Sequence, residues 1–146
     1  MHNHPHCRYF NADKKYSVED LAAFHGHLGP FIVLGYRIGR YVRDHICTDP
    51  FQLRAAVYCS GAPPESCIVD GVQLGSGCTL GKQNIEIVTA DQLKCVFSHD
   101  GKEIVFVPRP YQTPPRDQAD YALAIEKLAE RMYFLDDCDL FEIHGI

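Results

Sequence analysis

The stretch LRAAVYCSGAPPESCIVDGVQLGSGCTLGKQN, Leu53–Asn84, decides the fold. Leu53, Ala55, Val57 and Cys59 alternate with Arg54, Ala56 and Tyr58, the period-two pattern of a strand with one buried face. Pro63-Pro64-Glu65-Ser66 then opens a helix: proline fits a first turn whose N–H groups have no partner, and acids favour that end of the macrodipole. Cys67, Asp70, Gly71 and Leu74 follow at i, i+3, i+4 and i+7, so they share one side of that helix. Gly75-Ser76-Gly77 ends it, and Asn84 to Thr89 reads as the next strand.

Upstream, Ser17-Val18-Glu19-Asp20 resembles a capping box, with Leu21, Ala22 and Phe24 as the apolar face of the helix it starts. Gly26 and Gly29-Pro30 interrupt that helix at His25 and His27. A second helix is predicted from Phe31 to about Ile46, where Phe31, Leu34, Ile38, Tyr41 and Val42 recur at helical spacing. Its Gly35 and Gly39 lie four apart and permit close packing against another element. Interleaved Arg37, Arg40 and Arg43 exclude a membrane dimer motif.

Downstream, Leu93–Phe97 and Glu103–Val107 read as strands joined at Asp100-Gly101, a hairpin signal. Pro108, Pro110, Pro114 and Pro115 mark a loop. Arg116–Leu135 reads as the longest helix, with Tyr121, Ile125, Leu128 and Met132 in one stripe. Asp139–Ile146 forms a short strand or a tail. This order predicts an α+β domain with a partly antiparallel sheet packed by helices. At 146 residues one domain is expected: a His-rich tail over residues 1–15 and a core over 16–146.

A hydrophobic fraction of 46% supports a real core, and a net charge of -5 gives no nucleic-acid footprint. No apolar run is long enough to span a bilayer. The N-terminal MHNHPHCRYF lacks the apolar centre of a signal peptide, so a cytoplasmic location is expected. There, seven cysteines, an odd number, point to reduced thiols. Cys47, Cys95 and Cys138 fit as small apolar core residues.

Three chemistries compete for the remaining residues. In the first, His25 or His27 joins Cys67 or Cys78 on a metal, for which imidazole and thiolate are the usual zinc ligands. Cys67 in the first turn of its helix is expected to favour the thiolate, and Cys78 follows a glycine turn that allows close approach. In the second, Cys67 or Cys78 is a nucleophile paired with a histidine and Asp70. In the third, GSGCTLGKQN binds an anion. It is no P-loop, because Ser76 stands where the first glycine is required and Gln83 where Ser or Thr is; more simply its glycines present Cys78 and leave Lys82 solvated. His2, His4, His6 and Cys7 form a further cluster that can bind metal weakly.

FHGHLGPFIVLGYRIGRY (Phe24–Tyr41) and CIVDGVQLGSGCTLGKQNI (Cys67–Ile85) resemble the formylmethanofuran dehydrogenase E-subunit family. The resemblance covers about the first two thirds of the chain. It implies an α+β core that forms intertwined dimers, with a metal-binding cleft lined by His25, His27, Cys67 and Cys78. It further implies pocket-shaping roles for Gln73, Lys82 and Asn84, with Asp70 beside the metal or acting as a base, and Cys59 as a reserve ligand. Some members add a C-terminal zinc finger. Only Cys138 follows Cys95 here, so a core-only form is expected.

The resemblance thus leads to a cytoplasmic, homodimeric metal-binding protein, zinc first with nickel or iron as alternatives. It would bind a small molecule or serve a molybdenum or tungsten oxidoreductase, with no nucleic acid and no membrane as partner. The alternative is a small metal- or thiolate-dependent enzyme in which Cys67 and Asp70 are catalytic.

Overall fold

In a computed structural model, which describes residues 7–10 and 12–145, the chain forms a five-stranded mixed sheet with its helices packed around one core. Ser17 starts α1 (Val18–His25): its hydroxyl accepts from the Asp20 amide at 3.1 Å, and the Asp20 carboxylate accepts from the Ser17 amide at 3.0 Å. This is the predicted capping box. Gly26, at φ 103°, closes the helix in a left-handed conformation that a side chain would strain. Pro30 then begins α2 (Pro30–His45), the most buried helix of the fold.

Strand β1 (Arg54–Cys59) buries Ala55, Val57 and Cys59 and leaves the alternate residues half-buried or exposed. A 3-10 turn over Glu65–Cys67 leads into α3 (Ile68–Ser76), which returns the chain to β2 (Ile85–Thr89), parallel to β1. The hairpin β3 (Lys94–His99) and β4 (Lys102–Pro108) turns at Asp100-Gly101, both at positive φ, and β3 pairs antiparallel with the other side of β1. The sheet order is β2-β1-β3-β4-β5, with β5 (Phe141–Gly145) antiparallel to β4. The α+β architecture and the partly antiparallel sheet are those expected. Among the described residues no helix is long and apolar enough to cross a membrane.

Three boundaries differ. The helix expected to open at Pro63-Pro64 runs first as a 3-10 turn, and α3 begins only at Ile68. The last long helix, α4 (Tyr121–Tyr133), starts five residues later than predicted. Asp120 adopts φ 58°, and this left-handed residue cannot continue a right-handed helix toward Arg116. The tail splits into a one-turn helix, α5 (Asp137–Leu140), and β5. That places Cys138 on an exposed turn, so it is not the core residue expected, whereas Cys95 is fully buried.

Helices α2 and α3 touch backbone to backbone. A Cβ on Gly71 would lie 2.1 Å from the Ile32 carbonyl oxygen, and one on Gly35 2.1 Å from that of Ile68. Gly39 and Gly75 face Ser76 N and Tyr36 O at 2.6 and 2.4 Å in the same sense. The Gly35/Gly39 pair therefore does permit close packing, and its partner is the Gly71/Gly75 pair of α3.

The N-terminal segment is tied to α2 by Arg40, whose buried guanidinium donates to both Asp13 oxygens (2.9 and 2.6 Å) and to Asp44 (3.1 and 2.7 Å). Beside it, Tyr36 OH accepts from the Tyr16 amide, and Tyr133 OH donates to the Tyr16 carbonyl. Hydrogen bonds from Arg40 hold the Asp13 and Asp44 carboxyls below their usual range, against the opposing effect of burial.

Two predictions concern this framework. Gly71→Ala has no flexible neighbour to yield, because its contacts are main chain. It should cost about 3 kcal/mol or more in urea unfolding, while Gly81→Ala, with nothing within 4 Å, should stay within about 0.5 kcal/mol of the parent. A carboxyl with a lowered folded pKa gives stability that is present above its unfolded value and lost as pH falls through its folded value. Unfolding free energy measured against pH should therefore fall below about pH 4, and Asp13→Asn with Asp44→Asn should make that acid slope shallower.

Candidate functional site

The break between α1 and α2 and the start of α3 meet at one end of the glycine-packed helix pair. His25 is the last residue of α1, and its Nδ1 lies 2.7 Å from Asp70 Oδ2 in the first turn of α3. A carboxylate only accepts, so Nδ1 is the donor of this pair, and in the neutral imidazole the lone pair would lie on Nε2. The His27 ring stands 5.0 Å from that of His25, centroid to centroid, tilted by 47°. Gly29 makes room for it: a Cβ there would come within 3.2 Å of His27 Cε1.

His25, His27 and Cys67 line one cavity of about 350 Å³, within the ordinary range of small-molecule sites. The rest of its wall is largely apolar. Phe31 and Ile32 come from α2, Tyr121 and Ile125 from α4, and Tyr111 and Arg116 from the loop between β4 and α4. Sequence reasoning missed this loop and α4 as parts of the site. The available signals were the length of the loop, since long unstructured loops are often functional, and the Tyr121/Ile125 pair of the apolar stripe.

Cys67 departs from expectation. It caps α3 after a 3-10 turn and makes no side-chain cap hydrogen bond. Burial, then the nearby Asp70 charge, pushes its thiol up, so the helix end does not favour the thiolate as the spacing suggested.

Cys78 is elsewhere. The nine residues of α3 separate it from Cys67, roughly 14 Å of helix rise. It is fully buried beside Ser76, and burial raises its thiol to about 11. It does not join His25, His27 and Cys67 in the cavity wall. Cys59 lies in the core at the end of β1 and does not line the cavity.

The other three pocket-shaping candidates serve the Cys78 turn. Gln73 Oε1 accepts from the Leu80 amide at 2.8 Å. Asn84 bridges Thr79 N to the Pro50 and Leu53 carbonyls. Lys82 Nζ donates to Gly77 O at 2.8 Å, so it is an internal brace of the turn and not a solvated charge. His2, His4 and His6 lie outside the described residues.

Among the described residues, no three His, Cys, Asp or Glu side chains stand close enough together to hold a metal ion as they are. The class defined by fold and site is an α+β domain with a cavity whose largely apolar wall carries two imidazoles and a thiol. The chain belongs to the family described as FmdE, molybdenum formylmethanofuran dehydrogenase operon, whose profile matches residues 24–142. It is also similar to a "Probable S-adenosyl-L-methionine-binding protein" of Archaeoglobus fulgidus, 33% identical over 69 residues. That similarity covers 42% of this chain and 18% of the relative, so the chain spans under a fifth of the relative's length.

Alkylation by iodoacetamide at neutral pH should report these environments. Exposed Cys7 and Cys138 should react first, Cys67 more slowly, and buried Cys59, Cys78 and Cys95 only on unfolding. Peptide mass spectrometry gives the order. A Cys67 faster than both exposed thiols would instead reveal a base acting on it.

Proposed function

We propose that this chain is a metal-binding protein of the FmdE family whose cavity takes a transition metal through His25, His27 and Cys67 and a small molecule along its apolar wall. Zinc is the first choice, with nickel or iron as alternatives. The observation that carries the reading is the 2.7 Å contact between Asp70 and His25. A carboxylate on the far nitrogen orients a ligating histidine and raises its basicity, and it leaves Nε2 free in a cavity that also holds His27 and Cys67.

Two imidazoles and one thiolate fit zinc in type and leave a fourth position open. Metal binding deprotonates Cys67 and includes a side-chain turn that brings the three donors together. When bound, the metal would supply Lewis acidity or a lowered water pKa. His25, His27 and Cys67 would hold it, Asp70 would orient His25, and the wall formed by Phe31, Ile32 and Ile125 would exclude water. The family's description places its members with a molybdenum formylmethanofuran dehydrogenase operon, so service to such a molybdenum or tungsten enzyme, as a homodimeric cytoplasmic accessory protein, belongs to the proposal. S-adenosyl-L-methionine, named for the partial relative, is one small molecule to try in the cavity.

The second reading, a thiol enzyme, draws on the same contact: His25, oriented by Asp70, would act as base toward Cys67. The raised Cys67 thiol makes such a base necessary.

Metal analysis of untagged protein, with His2, His4 and His6 changed to alanine, tests the leading reading. One zinc per chain is expected. Binding should be lost in His27→Ala and Cys67→Ser and kept in Cys78→Ser. Metal well below one per chain, or unchanged in the first two variants, would overturn it.

A further inference from the structure

The cavity wall contains a cation, Arg116, that the metal reading does not use. The loop between β4 and α4 runs from Arg109 to Asp120 with no regular structure. Its start is fastened by the Arg109 amide and side chain, which donate to the Leu140 and Cys138 carbonyls at 2.8 and 2.7 Å. Tyr111 then packs edge-on against Phe31 with centroids 6.1 Å apart. Burial lifts its phenol to about 12, so it stays a neutral hydroxyl.

Beyond Tyr111 the loop places Arg116 in the cavity wall, with its guanidinium over the Tyr121 ring at 5.7 Å from the centroid. Arg116 is exposed, and among the described residues no carboxylate lies within ion-pair distance of it, as is also true of Arg8, Arg54 and Arg131. The cavity wall itself contains no Asp or Glu. A guanidinium over a ring face has N–H groups left to donate, and its planar fork matches a carboxylate or phosphate.

We infer that the small molecule this cavity accepts is an organic anion, its apolar body against Phe31, Tyr111 and Ile125 and its carboxylate or phosphate on Arg116. The inference rests on the reading that this cavity is the functional site. It assigns Arg116 as the residue that selects for charge.

The test uses the full chain stripped of metal with a chelator, so that no carboxylate binds through a metal. Calorimetric titrations compare 4-phenylbutyrate, 3-phenylpropyl phosphate and the neutral 4-phenylbutanamide. At least one anion should bind tenfold or more tightly than the amide, and it should slow alkylation of Cys67. The better anion names the headgroup. Arg116→Gln should lose that tenfold preference and leave amide affinity within twofold, while Arg116→Lys should restore part of it. Equal binding of anion and amide, no binding of any probe, no protection of Cys67, or an equal loss for anion and amide in Arg116→Gln would each overturn the assignment. Metal stoichiometry measured on the same protein before chelation separates the two readings. Normal metal without anion preference sinks this inference alone, and anion preference without metal sinks the metal reading alone.

Discussion

The contact between the glycine faces of α2 and α3 is the constraint on which the rest of the structure depends. Two helices with ordinary side chains between them lie 8–10 Å apart. Here the faces of Gly35, Gly39, Gly71 and Gly75 carry no side chain, and added Cβ atoms would strike the opposing main chain at 2.1–2.6 Å. Glycine in a helix interior costs about 1 kcal/mol relative to alanine, so four of them are a substantial local sacrifice. What they obtain is registration. With main chain against main chain, α3 can neither slide nor roll without collision. The start of α3 is thereby held against the residues that precede α2, and Asp70 meets His25.

A second layer of fastening works on the N-terminal side. Arg40 projects from α2 and gathers Asp13 and Asp44, while Tyr16, Tyr36 and Tyr133 link the same segment to α4. Arg37 adds bonds to the Met132 and Tyr133 carbonyls and to Asp137. One helix thus organises both its neighbours. Its glycines hold α3 and its arginines and Tyr36 hold the N-terminal segment and α4, so each wall of the cavity refers back to α2.

How much of this was legible depended on the range of the interaction. The capping box at Ser17, the hairpin at Asp100-Gly101 and the alternation in β1 are local patterns, and each element formed where its pattern lies. The glycine pair on α2 announced a close contact but named no partner by itself, although Gly71 and Gly75 on α3 repeat the same four-residue spacing. Cys67 and Cys78 looked like companions because the eye reads eleven residues as near. Along a helix that distance is long, and the two thiols end at opposite poles of α3. Cys67 itself misled because dipole arguments weigh the helix end alone, whereas burial and Asp70 act on the same sulfur in the opposite direction. Tyr111 and Arg116 stayed hidden because a proline-rich loop announces its irregularity and not its destination.

Asp70 is the point at which these effects meet. With its oxygen on Nδ1, Nε2 is the His25 nitrogen left for metal ligation or for base catalysis, and it serves the two equally well. The same charge opposes a thiolate on Cys67. A free thiolate there would add a second negative charge beside the first in a half-buried site, and a cation would relieve both. The arrangement is therefore poorly suited to a cysteine that waits ionised and well suited to one that loses its proton only when positive charge arrives. That asymmetry, set by a carboxylate that the α2–α3 contact holds in place, is the physical ground for ranking the metal reading above any in which Cys67 rests as a thiolate.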